Sequence, residues 1–80
     1  LEILEHHDQR LDEVYQAIGG ARVSGAEVAE NVEWSKPYES FSIFKRRAAL
    51  GETLSHLQVL VEDGRVRRME AGDHVVWEHV

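Results

Sequence analysis

The chain has 80 residues, no cysteine, 15 acidic residues against 9 lysines and arginines, and a formal net charge of −6. That length holds one domain, and the missing thiols exclude a disulfide framework, a cysteine-based zinc site and a thiol nucleophile. No apolar run approaches the roughly 20 residues that span a bilayer, so the expectation is a cytoplasmic domain with no membrane contact.

Leu4, Leu11, Val14, Tyr15 and Ile18 recur at three- and four-residue spacing, which predicts a helix over about Glu2–Ile18. Gly19-Gly20 ends it, because glycine takes the left-handed conformation past a helix end without strain. The pattern is already running at Leu1, which is not a Met; the expectation is a C-terminal piece of a longer protein. Ala21-Arg22-Val23 is short enough for a minimal strand. Ser24-Gly25-Ala26-Glu27 has the form of a capping box, with hydroxyl and carboxylate each satisfying an amide at the helix start. A second helix through Val28, Ala29 and Val32 is then expected to end near Glu33 or Trp34.

Pro37 disfavours helix at Lys36, so 35–40 reads as a loop. A long third helix follows from Ile43 to about Val61, with Ile43, Phe44, Leu50, Leu54, Leu57 and Val61 on one face and Leu60 beside them. Gly51 inside it costs roughly 1 kcal/mol relative to Ala, which a close helix–helix approach would explain. Gly64 stops this helix. Arg65–Met69 and Val75–Val80 alternate with the period of strands, joined by the loop Glu70–His74. The order of helix, short strand, two helices and hairpin predicts an α+β fold: a winged helix-turn-helix of three helices with a small antiparallel β-hairpin sheet.

Winged helices often bind DNA, so the charge distribution matters. Residues 1–18 carry five acids against Arg10, and residues 19–42 carry four against Arg22 and Lys36. Residues 43–63 and 64–80, the parts that would face DNA, are each neutral. Lys45, Arg46 and Arg47 open the third helix, where a recognition helix meets base edges. A DNA-binding regulator would need them to form one positive face with Arg65 and Arg67. The acidic remainder would repel a phosphate backbone.

Few residues suggest chemistry. His6, His7 and Asp8 are adjacent on a helix and point about 100° apart, so they do not converge on an ion. Glu52 and His56 are four apart and within reach of each other, yet no nucleophile accompanies them. Trp34, Tyr38, Phe41 and Phe44 are expected to pin the loop onto the third helix. An exposed patch contacting another domain is the alternative.

The runs HHDQRL at 6–11, SGAEVA at 24–29, VEW at 32–34 and ALGETLSHLQVLVEDGRV at 49–66 together resemble the C-terminal winged-helix domain of metallo-β-lactamase-fold hydrolases. These are the lactamase-B2-like and hydroxyacylglutathione-hydrolase-like enzymes. The most specific part is E-T-L-x-H-L-x-x-L-x-x-x-G-R-V, from Glu52 to Val66. The resemblance implies an upstream catalytic domain that holds one or two metal ions, usually zinc, through an H-x-H-x-D-H motif absent from these residues. It implies a non-catalytic module with no cofactor of its own, packed beside the active-site opening or in a homodimer. His6 and Arg10 would match the junction with the catalytic domain. Glu52 and His56, from the third-helix signature, would pair with each other or face that domain.

Overall fold

The computed structural model describes residues 2–34 and 36–80, with side chains from Gln9 onward. Helix α1 spans Glu2–Ile18, strand β1 Val23–Ser24, helix α2 Gly25–Asn31, helix α3 Ile43–Glu62, and strands β2 and β3 Val66–Ala71 and His74–His79. A single 3-10 turn, Tyr38–Ser40, lies between α2 and α3. The sheet is antiparallel in the order β1-β3-β2. Three helices and a three-stranded antiparallel sheet make an α+β fold in a winged-helix-like arrangement.

The helix ends follow the local chemistry. Glu27 donates its amide to the Ser24 hydroxyl at 3.2 Å while its carboxylate accepts from the Ser24 amide at 3.1 Å. Both halves of the capping box are therefore made. Ser42 caps α3 by accepting from the Lys45 amide. At the other end of α3 the amides of Gly64 and Arg65 donate to the carbonyls of Val61 and Leu60, each at 3.0 Å, with Gly64 at φ 75°. This is a Schellman motif, which needs a residue free to adopt a left-handed backbone. It delivers the chain into β2 after only three residues.

Val14, Ile18, Val28, Val32, Leu57, Leu60, Val66 and Trp77 form the core between the helices and the sheet. The buried stripe of α3 is Ala49, Thr53, Leu57 and Leu60, which corrects the expected face. Ile43 and Phe44 are 63% and 79% exposed and Leu54 39%. Leu50 and Leu54 instead lean on Gly25: a β-carbon added there would lie 2.9 Å from Leu54 Cδ2 and 3.6 Å from Leu50 Cδ1. The close approach expected at Gly51 is thus found at Gly25, and a β-carbon at Gly51 would meet nothing within 4 Å.

Boundaries differ in smaller ways. Helix α2 stops at Asn31, because Val32 is extended and turns its buried side chain into the core. Strand β1 is displaced to Val23–Ser24, so Ser24 is both its last residue and the cap of α2. The hairpin is tighter than expected: Ala71 pairs with His74 and only Gly72-Asp73 turn the chain. Gly72 has φ 68°, and among the described residues no non-glycine has positive φ, matching the glycine-first pattern of a II′ turn.

Candidate functional site

Arg10 and Glu52, separated by 42 residues, meet where α1 crosses α3. Arg10 Nε lies 3.3 Å from Glu52 Oε1 and Arg10 Nη1 lies 3.0 Å from Glu13 Oε2. The guanidinium also sits 4.8 Å from the centre of the Trp34 ring. Trp34 is held in turn by its indole N–H, which donates to the Ala29 carbonyl at 2.8 Å. One side chain therefore joins α1, α3 and the segment after α2. His56 approaches Glu52 through the backbone, its Nδ1 donating to the Glu52 carbonyl at 2.7 Å. The side chain of His6 lies outside the described residues.

Most of the cations expected for a DNA face are engaged within the domain. Lys45 lies over the Phe41 ring at 5.4 Å. Arg46 lies over Tyr38 at 5.7 Å and donates to the Glu39 carbonyl at 3.1 Å. Arg47 is exposed. Arg65 reaches Asp12 at 3.5 Å and covers Tyr15 at 4.4 Å. Arg67 pairs with Glu78 Oε1 at 3.2 Å, and Arg22 with the other oxygen at 3.1 Å. Lys45 and Glu62, near the two ends of α3, are about 25 Å apart at about 1.5 Å per residue. Arg65 follows beyond Glu62, so the five cations form two groups.

The outward face of α3 lies opposite the buried stripe. Phe44, Ala48, Gly51, Ser55, Gln58 and Glu62 recur there at three- and four-residue spacing, and all are exposed. Exposed Arg47 and Glu52 flank this strip on either side, three or four residues from its members. Phe41 packs against Trp34 and Tyr38 at ring distances of 6.2 and 5.5 Å, which anchors the loop as expected. Phe44, the fourth aromatic expected there, is 79% exposed.

Three participants were not singled out from the sequence by role. Trp34 serves as the platform for Arg10, and the Glu78 carboxylate accepts from Arg67 on β2 and from Arg22 just before β1. His79 stacks on Tyr15 with ring centres 3.9 Å apart and 8° between planes, while its Nε2 donates to the Tyr15 carbonyl at 2.7 Å. The alternation that put His79 on the Val75–Trp77 face was the available signal. Among the described residues, no three of His, Cys, Asp and Glu come together as a metal-binding group. None of their helices is long and apolar enough to cross a membrane.

No protein-family model and no curated protein matches the chain. A solved structure does. The chain is similar to a β-lactamase domain protein from Burkholderia ambifaria. The two share 28% sequence identity with a TM-score of 0.79, over 99% of this chain and 23% of that one. This chain therefore spans under a quarter of the length of that solved protein.

Proposed function

We propose that these residues are a non-catalytic accessory module of a metallo-β-lactamase-fold, metal-dependent hydrolase, packing beside the catalytic domain to support substrate access, stability or assembly. The observation that carries this reading is the end-to-end similarity to a small part of a β-lactamase domain protein. A domain matched over its whole length by less than a quarter of a longer chain has the proportions of an appendage. The metal, zinc in this reading, and the hydrolytic water belong to the larger part. The parent reaction is hydrolysis of a thioester, ester or related bond, in the cytoplasm.

The charge placement supports a protein partner over nucleic acid. In a winged helix that reads DNA, the recognition helix enters the major groove, yet on the outward face of α3 exposed Arg47 is balanced by exposed Glu52. Arg65 and Arg67, at the far end, are paired with carboxylates. The experiment has two arms. The coding sequence upstream of Leu1 is read for an H-x-H-x-D-H motif, and the 80 residues alone are titrated with zinc by calorimetry. The expected results are a motif upstream and no stoichiometric zinc binding by the module. Stoichiometric binding, or the absence of an upstream catalytic domain, refutes the proposal. A mobility shift on random duplex DNA at low salt, weakened by Arg47→Glu, would instead favour a DNA-binding regulator.

A further inference from the structure

In the sheet order β1-β3-β2, one side of β2 is bonded to β3 and the other has no strand beside it among the described residues. The register runs unbroken from Val66 opposite His79 to Ala71 opposite His74, and just before it the Val80 amide donates to the Arg65 carbonyl. Bonded and non-bonded pairs alternate in an antiparallel ladder, so Arg65, Arg67, Met69 and Ala71 turn their backbone groups toward β3. Val66, Arg68 and Glu70 turn theirs outward, and no loop or cap bond among the described residues uses them. Such an edge pairs readily with another strand unless it is short, bulged, or guarded by proline or lysine. Strand β2 is six residues long and has no bulge, proline or lysine. Two of its outward positions are charged, but with opposite signs two residues apart. Arg68 and Glu70 are exposed, and neither makes an ion pair among the described residues. A guard of one sign would repel a second β2; this arrangement matches it.

We infer that the outer edge of β2 pairs with the β2 edge of a second copy of this protein, antiparallel about a twofold axis at Met69, joining the two sheets into one. In that register Arg68 of each copy stands directly opposite Glu70 of the other. The amide and carbonyl of each residue exchange bonds with those of the residue it faces, so the outward groups of both are satisfied. Opposite charges at opposed positions stabilise a sheet, and like charges there destabilise it. Sliding the strands by one ladder repeat either way sets Arg68 against Arg68 or Glu70 against Glu70, so the charges select a single register. Met69 meets its own copy on the other face of the sheet, next to Val76, which is only 8% exposed. The domain carries a net charge of −6, but residues 64–80 are neutral. Repulsion between two acidic bodies is therefore least at the hairpin. The inference stands on the strand itself and not on the function proposed above.

The test uses the full-length protein. Arg68→Glu and Glu70→Arg are made singly and together, and sedimentation equilibrium across micromolar concentrations gives the dimer dissociation constant. Each single reversal opposes like charges at both places and is expected to weaken the dimer roughly tenfold. The double reversal restores the original constant. An equimolar mixture of the two single variants forms a heterodimer of the original tightness, because every opposed pair is again an arginine with a glutamate. In a separate Met69→Cys variant, oxidation is expected to join residue 69 to residue 69 of the other copy, identified as a disulfide-linked peptide by mass spectrometry. A non-bonded antiparallel pair holds its Cα atoms about 4.5 Å apart, within the reach of a disulfide. A protein that stays monomeric at every concentration overturns the inference. So does a dimer indifferent to both reversals, a pair of reversals that do not rescue each other, or the absence of the 69–69 disulfide. If no catalytic domain precedes Leu1, the proposed function fails while this dimer stands. If one does and the strands do not pair, only the inference fails.

Discussion

Replacing Arg10 by Ala removes three contacts at once, and their sizes can be set from the geometry. The side chains of Arg10 and Glu52 are 30% and 43% exposed, so their ion pair sits at the upper end of the surface range, about 0.5–1 kcal/mol. The Glu13 pair, three residues along the same helix, adds roughly 0.3 kcal/mol. The stack on Trp34 at 4.8 Å contributes about 0.5–1 kcal/mol in a partly desolvated setting. Arg10→Ala should therefore cost about 1.5–2 kcal/mol, while Glu52→Ala costs only its share of one pair. For a domain of this size that loss lowers Tm by roughly 10 °C. The assay is urea and thermal unfolding of the two single variants and the double variant. A coupling energy of about 0.5–1 kcal/mol between Arg10 and Glu52 is expected from the cycle, shrinking in 1 M salt as the Debye length falls to about 3 Å. The stacking share should persist there. An Arg10→Ala variant that unfolds with the parent, or a coupling of zero, would refute the idea that this side chain is committed to the domain's own architecture.

Leu57→Ala should be the most damaging simple truncation, costing about 3–5 kcal/mol, since Leu57 is wholly buried where α3 meets the core; the urea midpoint measures it. Gly51→Ala should raise stability by up to about 1 kcal/mol, because a β-carbon there meets nothing, and a Tm unchanged or lowered would contradict the open surroundings described. Ser24→Ala should cost about 1 kcal/mol by removing the hydroxyl that accepts from the Glu27 amide, with Ser24→Thr largely restoring the unfolding midpoint. Gly64→Ala should cost on the order of 1 kcal/mol, read by the same unfolding curve, because the left-handed conformation at φ 75° disfavours a side chain.

The sequence disclosed most of the architecture because its signals were local. The Ser24–Glu27 box, the Gly64 stop and the hairpin alternation each act within a few residues, and each produced the element expected. The rotation of α3 was harder to read. Ala49 and Thr53 supply half of the buried stripe although neither is strongly apolar. Thr53 is tolerated there by donating its hydroxyl to the Ala49 carbonyl at 2.8 Å. Leucines at 50 and 54 therefore drew the predicted face around the helix. The pairing of Arg10 with Glu52 was invisible for a different reason: ion pairs between distant segments leave no periodic trace. Both residues stood out, but as contacts to another domain and not to each other.

The junction at Gly64-Arg65 has a mechanical consequence. Two backbone bonds lock the helix end, Arg65 grips α1 through Asp12 and Tyr15, and the Val80 amide closes onto the Arg65 carbonyl at 3.2 Å. The base of the hairpin is therefore tied to α1 and α3 at once. A displacement of its turn would load both helices, so the wing and the helix pair would respond to a neighbouring surface together.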